Sequence, residues 1–417
     1  MKKLLAILLS VIMVLSLVAC GNKTQDETPS NDDQQQNTET ETKTVKVGLI
    51  CIGDENDQGY TYNFIRGKEA ATEALAAKGI NVDWVVKYNI GEDSTCEDAN
   101  LELAEEGCEL IINNSFGFEE YMLKVAPDYP EIQFVGCTNQ GSWNDGLENT
   151  HNAFANIYEG RYLAGVAAGM KLQQLIDEGT IKPEEAVIGY VGAFSFAEVI
   201  SGMTSYFLGA RSVCPSVTMK VQFVGSWSDA TEESNAASDL CDRGCKLISQ
   251  HADSMGAPTA CETAGVPNVS YNGSTVAACP TTFIVSSRIN WAPYFEYMVS
   301  QVLAGEPIAT DWTGDISTGS VVLTDVNEQV AAANTVESIA AAKDALVAGQ
   351  LQVFDTATFT VNGGEVLTSH MADVDTDEAY TPDTEVIEGG IFKESYFRSA
   401  PYFDLEIDGI TRLDVAF

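Results

Sequence analysis

Asn156-Ile-Tyr-Glu-Gly-Arg-Tyr-Leu-Ala-Gly-Val-Ala-Ala-Gly-Met-Lys-Leu172 decides how the chain is divided. The spacing predicts a helix with Ala164, Gly165, Ala168 and Gly169 along one side. Glycine in a helix interior costs about 0.5–1 kcal/mol relative to alanine. Gly160, Gly165 and Gly169 within ten residues therefore imply close packing against another element.

Strand and helix patterns alternate on both sides of this helix. Before it, apolar runs at 45–52, 82–88, 110–112 and 133–137 read as strands. Helical patterns at 61–78, 93–106 and 119–126 separate them. After it the rhythm repeats, with strands at 186–192, 217–224, 247–251 and 268–271 and helices at 197–210, 229–243 and 255–264. Alternation of this kind predicts βαβ units and parallel sheets. Two α/β halves thus lie in series, and the helix at 156 opens the second.

The run Phe283 to Ser286 leads to a helix near 291–303 that is expected to return to the first half. A strand near 320–323, a helix near 336–348 and β-like pieces near 354 and 358–361 follow. The expected division is lobe one at 45–155 plus about 285–320, and lobe two at 156–284 plus about 321–371. An acidic, turn-rich extension fills 372–417.

Lys2 and Lys3 precede an apolar run over residues 4–18, and Leu17-Val18-Ala19-Cys20-Gly21 follows. This looks like a bacterial lipoprotein signal, residues 1–19, with Cys20 as the lipidated new N-terminus. The run is short of the roughly 20 residues that a membrane span needs. Residues 21–44 are mostly polar and form the expected disordered tether. The protein is therefore expected on the extracytoplasmic side of the cell membrane, lipid-anchored and monomeric.

The formal net charge is −39, so the electrostatic footprint of a nucleic-acid binder is missing. Nine cysteines remain beside Cys20, an odd number. Most read as small buried hydrophobes, although export leaves disulfides open. Cys241 and Cys245 would share a helical face, but nothing completes a zinc pattern. There is no Gly-x-Ser-x-Gly, phosphate-cradling glycine loop or His-Glu-x-x-His. Asp57 and Asp253 offer a carboxylate pair, but an anchor and tether favour capture over turnover. The expectation is a protein that is not an enzyme and uses no cofactor.

In open α/β sheets, ligands bind beyond the carboxyl ends of the strands. The loops there hold Asp57, Tyr60, Ser115, Phe116, Phe194, Phe196, Glu198, Trp227, Asp253 and Asn272. Rings, carboxylates and amides together suit a flat ligand with polar edges. Capping or packing would also explain each residue singly, and His251 beside the cleft reads as structural.

Several of these pieces occur as longer motifs: Asp57-Gln-Gly-Tyr-Thr-Tyr62, Ser115-Phe-Gly-Phe118, Ile157-Tyr-Glu-Gly-Arg-Tyr-Leu-Ala-Gly165 and Gly189-Tyr-Val-Gly-Ala-Phe194 with Glu198. Leu208-Gly-Ala-Arg-Ser-Val213, Ser226-Trp227, Gln250-His-Ala-Asp253 and Asn290-Trp-Ala-Pro-Tyr294 follow in order. Over residues 45–365 the chain resembles the basic-membrane-protein family of solute-binding lipoproteins. That family serves ATP-binding-cassette importers and is best known for purine nucleosides.

The resemblance implies a type I periplasmic-binding-protein fold: two αβα lobes with parallel sheets and a three-strand hinge, closing on a ligand. It implies a membrane permease as partner and a ligand site at Asp57, Tyr60, Thr61, Ser115, Phe116, Phe194, Glu198, Trp227, Asp253 and Asn272. Tyr60 would lie against a base, and Asp253 would hold ribose hydroxyls. Asn272 and Ser274 stand where Asp is common, Phe196-Ala197 replaces a proline turn, and Thr204 replaces Asn. A clamp with fewer carboxylates leaves purine nucleoside, free nucleobase and another small polar ligand (sugar, autoinducer, flavin) open. A surface receptor or adhesion module not coupled to import is the reading from a different class.

Overall fold

The computed structural model describes residues 43–56, 58–139, 146–374 and 381–413. The signal, Cys20, the tether and Asp57 lie outside the described residues. The first sheet gathers β1 (Lys43–Ile50), β2 (Ile80–Lys87), β3 (Leu110–Asn113), β4 (Gln133–Gly136) and β5 (Thr150–Ala155). The second gathers β6 (Val187–Gly192), β7 (Thr218–Phe223), β8 (Leu247–His251), β9 (Asn268–Tyr271) and β10 (Phe283–Ile289). β11 (Asp311–Gly314) returns to the first sheet and β12 (Val321–Leu323) to the second.

The strand orders are β11-β5-β4-β3-β1-β2 and β12-β10-β9-β8-β6-β7. Every pair among these strands is parallel except β10 with β12. β1, paired on both sides, shows why: Val47, Leu49 and Ile50 are fully buried, the continuous apolar run of a parallel strand covered on both faces.

Helices α1 (Tyr60–Ala76), α2 (Ser94–Glu105) and α3 (Glu119–Val125) cover the first sheet. The second is covered by α4 (Ile157–Asp177), α5 (Ala197–Val213), α6 (Ala230–Asp242) and α7 (Gly256–Ala264). Helix α8 (Ala292–Ala304) packs on α1 in lobe one, and α9 (Thr335–Val347) packs on α4 in lobe two. Phe64 lies 4.4 Å from Trp291 between ring centroids, which ties α1 to the start of α8. The chain crosses between the lobes three times, after β5, after β10 and after β11.

Four differences from the sequence expectations stand out. β5 was not expected, because Thr150-His151-Asn152 is polar; all six of its residues are nevertheless buried. His151 contacts Gln133 Oε1 at 2.7 Å and Asn152 donates to Asp311 Oδ1 at 2.9 Å, so hydrogen bonds replace apolar burial. The boundary expected near residue 285 falls inside β10, which belongs to the second sheet throughout. The β-like pieces near 354 and 358–361 make only the isolated bridges Asp355–Ile391 and Val361–Glu365. The expected C-terminal extension joins lobe two: after the two-residue strands β13 (Met371–Ala372), β14 (Thr384–Glu385), β15 (Ile387–Glu388) and β16 (Ile391–Phe392), β17 (Ile410–Arg412) pairs in parallel with β7.

The nine cysteines among the described residues form no disulfide with one another. Helix α6 ends at Asp242, so Cys245 lies beyond the helix rather than on the face it was expected to share with Cys241.

The glycines of α4 are explained by α5. A Cβ at Gly165 would stand 2.0 Å from the Tyr206 carbonyl oxygen, and one at Gly169 would stand 2.4 Å from that of Ala210. From the other side, a Cβ at Gly209 would stand 2.1 Å from the Tyr162 oxygen. The opposing atoms are backbone and cannot swing away. Gly165→Ala gains about 0.5–1 kcal/mol of helix propensity but forces the helices apart, an overpacking cost of about 1–3 kcal/mol or more. We expect net destabilisation, read as a lower urea midpoint at unchanged slope; a midpoint equal to or above wild type would refute the close-crossing explanation.

Candidate ligand-binding site

Loops from both lobes meet around a cavity of about 480 Å³ of atom-free space, part of it open to solvent. Lobe one contributes Tyr60, Ser115, Phe116 and Thr138, and lobe two contributes Glu198, Trp227, Asp253 and Tyr271.

Tyr60 is the first residue of α1. Its hydroxyl donates to the Cys137 carbonyl at 3.0 Å, and its ring meets Phe64 edge-on at 5.1 Å. Burial, reinforced by Glu198 and Asp253, pushes the phenol well above its usual range, so it stays neutral. Gly59 before it is required: a Cβ there would stand 2.5 Å from the Asp253 Cβ across the cleft. Ser115 donates to Glu92 Oε1 at 2.7 Å, and the same oxygen accepts from Gly117 N–H, which fixes the turn that presents Phe116.

On lobe two, Asp253 is held on both sides. Its N–H donates to the Trp227 carbonyl at 2.8 Å, and its Oδ1 accepts from Asn272 Nδ2 at 2.6 Å. Glu233 of α6 fixes the following residue, accepting from Ser254 N–H at 3.2 and 3.3 Å through its two oxygens. Glu198 stands in the first turn of α5, where a negative charge is favoured. Its Oε1 lies 3.3 Å from His251 Nε2, His251 Nδ1 lies 3.4 Å from the Tyr190 hydroxyl, and that hydroxyl accepts from Arg161 at 3.1 Å. Burial, the largest influence, holds His251 below its usual range. A neutral ring donating from Nε2 to Glu198 and accepting at Nδ1 from Tyr190 satisfies both contacts.

Six of the expected residues therefore line one cavity: Tyr60, Ser115, Phe116, Glu198, Trp227 and Asp253. Three others stand behind it. Thr61 is fully buried, and its hydroxyl accepts from Gly53 N–H and Asn114 Nδ2, locking the first loop. Phe194 packs edge-on against Trp227 at 5.2 Å and stacks on Phe196 at 5.0 Å. Asn272, at φ +65°, is fully buried and spans the lobes, donating to Asp253 and accepting from Asn63 Nδ2 at 2.9 Å. Asp57 lies outside the described residues.

The sequence reading passed over Tyr271, Thr138 and the cavity-lining role of His251. Tyr271 is 5 % exposed, and its hydroxyl has no partner among the described residues. A buried hydroxyl left unpaired loses about 1–3 kcal/mol, so a ligand atom that reaches it gains accordingly. Its place as the last residue of a strand that ends at the cleft was the available signal. Among the described residues, no group of three His, Cys, Asp or Glu side chains is placed to hold a metal ion.

A family model described as ABC transporter substrate-binding protein, PnrA-like, matches residues 44–352. A purine-binding protein of Brucella abortus is 31% identical over 261 residues, covering 63% of this chain and 69% of that protein. A putative ABC transporter glucose-binding protein of Haloferax volcanii is 28% identical over 335 residues, 80% of each chain. A solved ABC transporter solute-binding protein from Conexibacter woesei aligns with a TM-score of 0.59 at 21% identity, covering 74% of this chain and 98% of that one. This last likeness bears on the fold alone.

Glu233 gives a pH test of the loop that carries Asp253. Burial pushes its carboxyl up to about 7, against hydrogen bonds from Ser254 and Asp229 that pull it down. The folded state thus holds this proton more tightly than the unfolded chain does. The resulting stability is full below about pH 4.5 and is lost as pH rises through about 7. Glu233→Gln is neutral throughout, so between those limits its stability relative to wild type rises by on the order of 3 kcal/mol. Urea unfolding of both proteins at the two ends of that window measures it, and a constant difference would contradict it.

Proposed function

The chain belongs to the PnrA-like family of ABC transporter substrate-binding proteins, and from that membership we propose that it captures a purine nucleobase or nucleoside outside the cytoplasm and delivers it to its permease. Members of a substrate-binding family hold and release cargo rather than transform it. In this reading Cys20 carries the lipid, residues 21–44 are the tether and the protein acts as a monomer. The lobes close on ligand because it touches both, favouring the closed arrangement by its differential affinity.

One observation carries the choice of cargo. Rings from opposite lobes, Tyr60 and Phe116 on one side and Trp227 and Tyr271 on the other, share a cavity edged by the carboxylates of Asp253 and Glu198. A purine has two apolar faces for the rings and an N–H-bearing edge for a carboxylate. The resemblance of Brucella abortus purine-binding protein, at 31% identity, supports the same reading. A hexose is the second reading, favoured by the Haloferax volcanii relative that spans 80% of each chain. A sugar ring also stacks on tryptophan, but it needs polar partners around its whole rim, and the Ser115 and Thr138 hydroxyls here are already spent as donors to Glu92 and Asn152.

Thermal shift and calorimetry against adenine, hypoxanthine, adenosine, inosine, riboflavin and glucose separate the readings. A purine at 100 times its Kd is expected to stabilise the protein by about 2.7 kcal/mol. A response to glucose alone would sink the purine assignment. Base-on-ring stacking is worth about 1–3 kcal/mol by alanine substitution, so Tyr60→Ala should weaken purine binding by roughly 5- to 150-fold. Unchanged affinity would remove Tyr60 from the site. Separately, Cys20→Ser should move the protein from the membrane fraction to the soluble one; retention there would refute the anchor.

A further inference from the structure

A second cavity opens between the lobes, and it shares no lining residue with the ligand cavity. It is a groove of about 1000 Å³ of atom-free space, part of it open to solvent. Gln58 and Gly273 belong to its wall, and Gly273 N–H donates to the Gln58 carbonyl at 3.0 Å, which joins the lobes there. Two residues away on each segment, Tyr60 and Tyr271 line the ligand cavity. The groove and the ligand cavity therefore lie on either side of one lobe contact.

Two arginines from opposite lobes line this groove, Arg66 of α1 and Arg288 of β10. Arg66 is exposed, and Tyr62 steadies its guanidinium. Nη1 donates to the phenol oxygen at 3.0 Å, and the group lies 5.3 Å from the ring centroid. Arg288 is half-buried. Burial first, and Arg66 second, hold it below its usual range, so Arg66 is close enough to repel it. Among the described residues, neither guanidinium has a carboxylate within ion-pair distance. Asp325 also lines the groove, but it is exposed and pairs with neither.

The composition leads to the opposite expectation. The chain has 61 carboxylates for 22 lysines and arginines, so an arginine has carboxylates to choose from. Like charges that approach across a lobe contact oppose that contact. An anion between them turns the opposition into attraction. A guanidinium presents a planar fork of N–H donors that matches an oxyanion in two parallel hydrogen bonds. Gln58 and Ser274 add neutral donors along the same wall. The field of the acidic surface is screened over about 8 Å at physiological ionic strength, so it does not cancel two cations in direct contact with an ion.

We propose that the groove is an anion site, in which a small oxyanion of the phosphate or sulfate class bridges Arg66 and Arg288 and holds the lobes together. Because each lobe supplies one guanidinium, the ion favours the arrangement in which the lobes meet. The site is separate from the ligand cavity and stands whatever cargo that cavity takes.

Calorimetric titration of the full chain with inorganic phosphate, at neutral pH and at constant ionic strength in chloride, tests this on wild type, Arg66→Gln and Arg288→Gln. Wild type is expected to bind phosphate saturably. Each substitution is expected to weaken that binding by roughly tenfold or more, because each removes a pair of charge-assisted hydrogen bonds. Without phosphate, both variants should melt at or above the wild-type temperature, since one of two like charges is gone. Absence of saturable binding by wild type, or equal affinity in all three proteins, overturns the site. Loss in only one variant overturns the bridge between the lobes. A rise in melting temperature with phosphate that is common to all three proteins is the general effect of an excluded salt and counts against the site. A lower melting temperature of both variants without phosphate gives the arginines a structural role instead and also overturns it.

Discussion

A single buried charge organises lobe two. Arg161 is fully buried in the first turns of α4, and no carboxylate lies within ion-pair distance among the described residues. Its guanidinium donates instead to the carbonyls of Ser270 and Gln250 at 3.2 Å each and to the Ser249 hydroxyl at 2.9 Å. It also lies over the rings of Tyr190, Tyr206 and Tyr271 at 4.9 to 5.6 Å. Leaving a cation unsolvated in such a place is expensive; carbonyl dipoles and ring faces offset it, and a planar fork can reach several of them at once, as an ammonium cannot. The outcome is that α4, β6, β8 and β9 share one hub. Through Tyr190 and His251 that hub ends on Glu198 at the cavity wall. The orientation of a cavity-facing carboxylate is thus set by a buried charge on α4 that does not itself line the cavity.

The lobe interface works by a complementary constraint, the absence of spare room. Gly59 has no space for a side chain beside Asp253, and Gly273 N–H donates to the Gln58 carbonyl at 3.0 Å. Asn63 and Asn272 bridge the lobes through their amides. Asn272 adopts a left-handed backbone that few non-glycine residues tolerate, asparagine among them. These contacts are short and polar and depend on small residues. An interface of this kind forms only when the lobes are in register.

The chain's acidity fits the same picture. With a net charge of −39 and two carboxylates at its cavity edge, the protein repels anions from its ligand cavity. A neutral ligand rich in N–H and hydroxyl groups meets no such barrier.

The order of strands and helices follows from the sequence, because a buried parallel strand must be a continuous apolar run and its crossover helix must be amphipathic. The approximate position of the site follows too, since ligands gather at the carboxyl ends of such strands; hence Tyr60, Ser115, Phe116, Glu198, Trp227 and Asp253 were legible from their loops and meet at one cavity. Only the tertiary structure separated the residues that face the cavity from those that support it. Asn272, Thr61 and Phe194 have the same chemistry as the lining residues, but backbone conformation and long-range partners turn them away. β5 escaped notice because its hydrogen bonds come from Gln133, Asp311 and Ser399, none adjacent in sequence. That residues 399–401 return to the cleft beside Phe116 and Trp227 was illegible for the same reason: irregular backbone has no periodicity, and its place is fixed by single contacts to Asn152, Asp311 and Arg211 far away along the chain.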